Sequence, residues 1–463
     1  MMPKQAAALE GRFDVAIIGA GIVGCAIARR FALSGARVAV VEKAVDILDG
    51  ASKGNSAILH TGFDAPIGSL EQRCVASGYD EYLSIHERLG LPLIRSGALV
   101  VAWTEEEEAI LPSLVEQAHR NGVDDVEPLT VADLRRVEPG LAPGARGGFR
   151  VPREYLIDPW SAPFAYLLQA VENGAELLRG AEVTGATRDG DWLLETTRGT
   201  VRAGLVVNAA GLFGDLVDEM LTGRSDFRVR PRKGQFIVYD KPAAALASHI
   251  ILPVPNAITK GVVVCRTAFG NLIVGPTAED QDDRERATLV TETLAFLKSK
   301  GEAIVPALRE QTVTAIYAGL RPATEFKDYQ IRAHEGLACI TVGGIRSMGL
   351  SAALGIASHV ERLAGLALSP PVKPAWPKVP NISEYGPRDW QSEGHGGVVC
   401  HCELATRREV LAALDGPLPA RSLAGLKRRT RVTMGRCQGF FCSAELSRLT
   451  DGRFDLAMAE VAR

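Results

Sequence analysis

Two groups of residues have types and spacings that could do chemistry. The first is Gly19-Ala20-Gly21-Ile22-Val23-Gly24, followed downstream by Glu42. In a G-x-G-x-x-G passage Gly19 makes the tight turn, Gly21 lets backbone approach a pyrophosphate, and Gly24 lets a helix pack close to its strand. A helix opening there offers free N–H groups and a positive dipole end to phosphates. Glu42 is placed to accept both hydroxyls of an adenosine ribose, and its charge would repel a 2′-phosphate. The second group is Cys400-x-Cys402 with Cys437-x4-Cys442. Four thiolates can hold an iron–sulfur cluster or zinc, since soft sulfur suits both. The close spacing of Cys400 and Cys402 directs both sulfurs to one side of a turn. Gly435 and Gly439 leave the second loop free to wrap an ion. Paired ligands in four-cysteine zinc sites usually stand two or more residues apart, so zinc is the alternative that the first spacing fits less well.

The surrounding elements must position these groups. Residues 13–18 are a short apolar run expected as a buried parallel strand. A helix follows from Ile22 to Leu33 and stops at Ser34-Gly35, and a second strand over 37–41 ends at Glu42. Strand, glycines, helix, strand and acid together predict a dinucleotide-type fold far more strongly than the glycines alone. Residues 46–62 are rich in Gly, Ser and Asn and read as a loop that could lie along the far end of an extended cofactor. Helices are expected over 69–89, 105–121 (opened by Thr104), 131–137 and 158–173, with strands in 92–103, 176–183 and 192–201. A buried strand over 205–208 runs into Ala209-Ala210-Gly211, and one over 337–342 runs into Gly343-Gly344 before a small-residue helix, 349–363. A nicotinamide-only domain would not need this third strand–glycine–helix passage. Residues 228–325 read as β-rich, with Ala268-Phe269-Gly270-Asn271 as a hairpin turn. Pro370, Pro371, Pro374, Pro377, Pro380 and Pro387 mark 366–396 as a semi-extended linker before a compact C-terminal module.

At 463 residues the chain should make two or three domains, and 46% hydrophobic with 23% charged residues is ordinary globular composition. A net charge of −3 gives no hint of a nucleic-acid or anionic-membrane surface. No apolar run is long enough to span a bilayer, and residues 1–12, read as a short lead, lack the apolar core of a secretory signal. Eight cysteines in a chain this long are no disulfide scaffold. Cys25, Cys74, Cys265 and Cys339 fall in helix or strand patterns and read as inert core.

Residues 13–366 resemble the D-amino-acid-oxidase-like FAD oxidoreductases, in the glycerol-3-phosphate dehydrogenase and L-2-hydroxyglutarate dehydrogenase branches. The resemblance rests on 17–42, on 54–62 (GNSAILHTG), on Gly68-Ser69-Leu70, on 206–211 (VVNAAG), on 270–277 (GNLIVGPT) and on Ala318-Gly319-Leu320-Arg321-Pro322. Residues 398–447, with 430–439 (TRVTMGRCQG), resemble the bacterioferritin-associated-ferredoxin-like [2Fe–2S] module at the C-terminus of the large subunit of anaerobic glycerol-3-phosphate dehydrogenase.

The resemblance implies an α/β architecture. A discontinuous Rossmann-like FAD-binding domain of the glutathione-reductase type would comprise 1–85, 150–227 and 326–366. A β-rich α+β substrate domain would comprise 86–149 and 228–325. A proline-rich linker, 367–396, would lead to a [2Fe–2S]-binding domain, 397–463. FAD would extend from Gly19, Gly21, Gly24, Glu42 and Lys43 past Ala210 and Gly211, with Val183 at the adenine. Ser52, Asn55 and Ser56 would lie beside the isoalloxazine, and Gly344, Arg346, Gly349 and Leu350 would approach its pyrimidine edge. His60, in Leu59-His60-Thr61-Gly62, falls in the family's I-H-x-G position. A histidine near neutral pKa suits the base that an alcohol needs as hydride leaves. Arg321 would clamp the anionic end of the substrate with its planar fork. Lys233 and Arg332 are weaker candidates. Ile345 stands where the respiratory single-subunit glycerol-3-phosphate enzymes carry lysine, which leaves open phosphate or carboxylate as the anionic group. Cys400, Cys402, Cys437 and Cys442 would hold the [2Fe–2S] cluster.

The expected activity is oxidation of a small anionic secondary alcohol, sn-glycerol 3-phosphate first and L-2-hydroxyglutarate or another 2-hydroxy acid second. Because a [2Fe–2S] centre passes electrons singly, the expected acceptor is a partner protein or quinone-linked subunit. The reading from another class is a non-catalytic electron-transfer subunit. The expected location is the cytoplasm, with any attachment to the inner membrane made through a partner subunit.

Overall fold

The computed structural model describes residues 9–255 and 261–458. Residues 1–8 of the expected lead lie outside them. The chain builds two large sheets. In the first, Arg12–Ile18 lies between Gly199–Asn208 and Val38–Glu42, and Glu176–Arg179 adds beyond Val38–Glu42, all parallel. Cys339–Gly343 pairs parallel to the last residues of Gly199–Asn208, while the start of that strand carries the antiparallel ribbon Val183–Asp189 and Asp191–Thr196. The apolar run Val15 to Ile18 therefore has partners on both edges and is buried on both faces, Val15 and Ile17 in one core and Ala16 and Ile18 in another. That is why it reads as continuously hydrophobic instead of alternating.

Helices Ile22–Leu33, Leu70–Leu89, Ser161–Glu172 and Gly349–Ala364 bury a common core with Ile27, Phe31, Tyr82, Tyr166, Ile356 and Val360. Ser69 caps the second helix by accepting from the Gln72 N–H at 3.0 Å, and the left-handed Gly90 ends it. Thr104 caps Glu105–Arg120 in the same way, and Thr130 opens Val131–Val137 with a capping box to Asp133.

The second sheet has nine strands. Val313–Arg321 and the short Glu279–Asp280 both run antiparallel to Arg232–Tyr239 at one side, and Leu272–Gly275, Val263–Arg266, Ile250–Pro253, Ala98–Ala102, Gly147–Val151 and Glu127–Leu129 follow. Val263–Arg266 and Leu272–Gly275 form the expected hairpin across 268–271. A three-stranded sheet, Ile58–Leu59, Tyr155–Ile157 and Leu93–Ile94, lies apart from both large sheets.

Some elements differ from the sequence reading. Residues 176–183 are not one strand: Gly180 turns at φ +61, so Glu176–Arg179 joins the parallel sheet and Val183 starts another strand. Gln330–His334, with a mixed polar pattern, is a strand that periodicity does not reveal. The proline-rich span is not a free tether. Asn173 and Gln169 hydrogen-bond both backbone groups of Ala375 at 2.9 Å, and the Val379 N–H donates to the Leu89 carbonyl at 2.9 Å. Arg88 stacks 3.5 Å over the Trp376 ring.

The C-terminal module has a core of its own, Val399, Val410, Leu426, Val432 and Leu446, between Arg407–Asp415, Leu423–Thr430 and Ser443–Leu449. Among the described residues no helix is long and apolar enough to cross a membrane.

Candidate active site

The parallel strands of the first sheet end together, and loops gather there as ligand sites do in open α/β sheets. Beyond them lies a cavity of about 650 Å³ whose walls come from both sheets. Gly19, Gly21, Glu42, Lys43, Val183, Ala210 and Gly211 line one end. Ser52, Asn55, Ser56, His60, Arg321, Arg346, Gly349 and Leu350 also line it. Gly24 and Gly344 do not. A Cβ on Gly24 would stand 1.9 Å from the Gly19 carbonyl, so Gly24 serves helix–strand contact rather than the cavity. Gly344 is a left-handed turn residue packed on Gln330.

The residues present fit an adenosine pyrophosphate. Nothing larger than glycine fits at Gly19, where φ is +107 and a Cβ would meet the Ala209 carbonyl at 2.6 Å. Ser52 accepts from the Ile22 N–H at 3.0 Å, at the mouth of the first helix. The Glu42 carboxylate accepts from the N–H groups of Ala20 at 2.7 Å and Ala44 at 2.9 Å. Burial pushes its pKa up against those two bonds, so the anion is aimed by backbone and short of solvent. We expect Glu42→Lys to purify with strongly reduced FAD, read from the ratio of flavin to protein absorbance. Undiminished content would remove Glu42 from the site.

At the other end His60 follows the Ile58–Leu59 strand. Its ring Nδ1 lies 2.8 Å from Glu154 Oε2, and its backbone N–H donates to Ser351 Oγ at 2.8 Å. Glu154 was not legible in the sequence, because it lies far from His60 along the chain and in no motif.

Arg321 ends the Val313–Arg321 strand directly across from Arg232. Asp280 binds Arg232 through Oδ1 at 2.6 Å and Oδ2 at 3.1 Å. Arg321 donates only to the Thr277 carbonyl, at 2.8 Å, and among the described residues no carboxylate pairs with it. Burial, then the Arg232 charge, pushes its pKa down to about 10. It is a half-buried cation in want of an anion. Lys233 is committed to Glu279 and the Thr288 carbonyl, and Arg332 to Asp226. Arg346 donates to the Lys327 carbonyl at 2.8 Å.

The four C-terminal cysteines stand away from this cavity. They stand near one another: Cys402 feels Cys437 and then Cys400, and Cys442 feels Cys400 and then Cys437. The Phe441 N–H, opposed by burial and helped by Cys402 and the N–H groups of Gly439 and Phe440, holds the Cys437 thiol below its ordinary range. Gly435 must be glycine, since a Cβ there would fall 2.2 Å from Cys402 Cβ. Among the described residues no three or more His, Cys, Asp or Glu side chains form a group able to hold one metal ion. Burial pushes the thiols of Cys74, Cys265 and Cys339 up to about 12, and Cys25 higher still, as expected of inert core cysteines.

Comparison with known proteins places this geometry. The family described as FAD dependent oxidoreductase matches residues 14–363. A glycerol 3-phosphate dehydrogenase of Caloramator mitchellensis is 33% identical over 97% of this chain and 96% of its own length. An anaerobic glycerol-3-phosphate dehydrogenase polypeptide of Escherichia coli K12 is 27% identical over 94% of this chain and 87% of its own. The solved structure of dithionite-reduced L-alpha-glycerophosphate oxidase from Mycoplasma pneumoniae with FAD bound superposes with a TM-score of 0.75 at 28% identity, over 81% of this chain and 100% of that one. The chain accordingly belongs to the FAD-dependent oxidoreductase family, as an enzyme like the glycerol-3-phosphate dehydrogenases and oxidases.

Proposed function

We propose that the chain oxidises sn-glycerol 3-phosphate to dihydroxyacetone phosphate and passes the electrons through a [2Fe–2S] cluster to a partner acceptor. The observation that carries the substrate class is Arg321, a half-buried guanidinium without a carboxylate among the described residues, in one cavity with His60. Its fork would take the phosphate in paired charge-assisted bonds. Bound FAD would supply the two-electron oxidant. His60 would receive the hydroxyl proton. Phe63, Phe236 and Leu252, which also line the cavity, would keep water from the reacting carbon. Ile345 lines the same cavity without a charge, which favours a second reading in which the anion is the carboxylate of L-2-hydroxyglutarate or another 2-hydroxy acid.

The cluster reading is supported by the four thiols standing near one another, which would supply the four sulfurs a [2Fe–2S] cluster takes, and by the N–H groups turned to Cys437. Cys400, Cys402, Cys437 and Cys442 would be the ligands, and the electrons would leave singly toward a protein or quinone-linked acceptor.

The experiment is an anaerobic panel of glycerol 3-phosphate, 2-hydroxyglutarate, lactate and amino acids watched at the flavin absorbance. Rapid bleaching by glycerol 3-phosphate alone supports the reading. Bleaching by a 2-hydroxy acid instead moves the substrate, and no bleaching by any of them leaves an electron-transfer subunit. For the cluster, about two irons and two acid-labile sulfides per chain are expected, and Cys437→Ser should lose both while flavin still bleaches in a single turnover. Zinc in their place would overturn the cluster.

A further inference from the structure

The three-stranded sheet sets His60 against a carboxylate that no motif marks. Tyr155–Ile157 runs antiparallel to Ile58–Leu59 with Leu59 opposite Tyr155, so the next pair along is His60 and Glu154. Glu154 is 0% exposed. One oxygen, Oε2, meets His60 Nδ1 at 2.8 Å. The other, Oε1, accepts from the Thr61 N–H at 2.6 Å and the Thr61 hydroxyl at 2.8 Å. Thr61 therefore holds the carboxylate while the carboxylate holds the ring. Ser351, in the helix that starts at Gly349, fixes the His60 backbone independently. The protein has two other histidine–carboxylate pairs among the described residues, His249 with Glu138 and His334 with Asp218. Neither of those histidines lines the cavity, whereas His60 does. A buried carboxylate is costly unless its acceptors are filled, and here a histidine and its neighbour fill them.

We propose that Glu154 is a positioning residue for the oxidation. It keeps the proton of neutral His60 on Nδ1, so that Nε2 presents its lone pair to the cavity. This rests on the reading of the chain as an alcohol dehydrogenase given above. In that reaction the substrate O–H bond breaks and an Nε2–H bond forms. The carbinol hydrogen leaves with its electron pair to the flavin, and the alcohol becomes a carbonyl. The imidazole becomes an imidazolium, and the Glu154 carboxylate on its far side balances the charge. A carboxamide in place of the carboxylate can donate to Nδ1, which moves the ring proton to Nε2 and removes the base.

The test has two arms on the FAD-loaded full chain. In the first, nitrogen-15 histidine NMR of the wild type, with the His60 resonances identified by their loss in His60→Gln, reads the tautomer directly. A protonated Nδ1 and bare Nε2 are expected, with the reverse or a mixture in Glu154→Gln. In the second, anaerobic stopped-flow reduction of Glu154→Gln should slow by about 10²-fold at saturating substrate, with half-saturation and flavin content within about twofold. Glu154→Asp, which keeps the charge, should recover part of the rate. An Nε2-protonated His60 in the wild type overturns the proposal. So does a flavin-replete Glu154→Gln that reduces at the wild-type rate. If Glu154→Gln does not fold, the wild-type spectrum still decides. If no alcohol reduces the wild-type flavin, the functional reading falls, and the spectrum alone tells whether Glu154 sets the tautomer.

Discussion

Arg321→Ala is expected to lower kcat/KM by roughly 30-fold to several thousand-fold, with FAD content unchanged. The range corresponds to about 2–5 kcal/mol, the usual cost of truncating one member of a desolvated charge pair. Arg321 has the features that put it in this class. It is half-buried opposite Arg232, its one hydrogen bond among the described residues is to the Thr277 carbonyl, and the acid nearby, Asp280, is already taken by Arg232. In the free enzyme it is an uncompensated cation, so its removal should not destabilise the fold and could stabilise it. That separates the clamp from a structural ion pair: loss of a structural pair would lower Tm, whereas loss of the clamp lowers kcat/KM with Tm held or raised. Arg321→Lys should recover only part of the loss, because a single ammonium lacks the planar fork. Wild-type kinetics in Arg321→Ala would remove the clamp.

Asp46→Ala should release the C-terminal module from the FAD loop and lower FAD retention with it. Asp46 is buried, and four arginines converge on it. Arg429 Nη2 lies 2.9 Å from Oδ1, the Arg421 backbone N–H donates to Oδ2 at 2.8 Å, and Arg179 stands 3.8 Å away. Arg428 donates to the adjacent Ile47 carbonyl at 2.9 Å and reaches Asp49 at 3.5 Å. Removing the acid leaves Arg429 and Arg428 buried against each other, which is worth about 3–5 kcal/mol when a buried pair loses one partner. The loop they clamp joins Glu42 to Ser52, and Asp49 and Ser52 line the cavity. Burial pushes the Asp46 carboxyl up, but Arg429, the Arg421 N–H, Arg428 and Arg179 outweigh it and hold it below its ordinary value. A depressed folded pKa contributes stability that is present above the unfolded value of about 3.9 and is lost as pH falls through the folded one. The wild type should therefore undock in acid below about pH 4, and Asp46→Ala should lack that step. Proteolysis within 366–396 and flavin content, measured across pH, check both. Equal protease resistance and FAD content in the variant would mean that the loop holds itself.

The strand–glycine–helix–strand passage from Arg12 to Glu42 was determined by sequence alone. Its information is local: an apolar run, three glycines at fixed offsets, a helix that starts where the glycines end, and Glu42 at the end of the next strand. Each is specified by neighbours within one strand–helix–strand passage, where propensity and sterics act without reference to the rest of the chain. The helix caps at Ser69, Thr104 and Thr130 are of the same kind.

The surroundings of His60 and Arg321 were decided only by tertiary structure. His60 is visible in its motif, but Glu154 reaches it through the pairing of Leu59 with Tyr155, and strand register is set by how two sheets close, not by any short stretch. Arg321 reads as an anion clamp by resemblance. Its want of a partner emerges only when Arg232 falls opposite it and takes Asp280. The prolines of 366–396 predict a semi-extended linker, yet they say nothing of Asn173, Leu89 and Asp46, the groups through which strap and module are held to the body. The cysteine spacings predict one four-thiolate site; which thiol stands near which, Cys402 by Cys437 and Cys400 by Cys442, follows only from the fold. Contacts made across a core depend on topology and register, and those are properties of the whole chain closing on itself rather than of any segment within it.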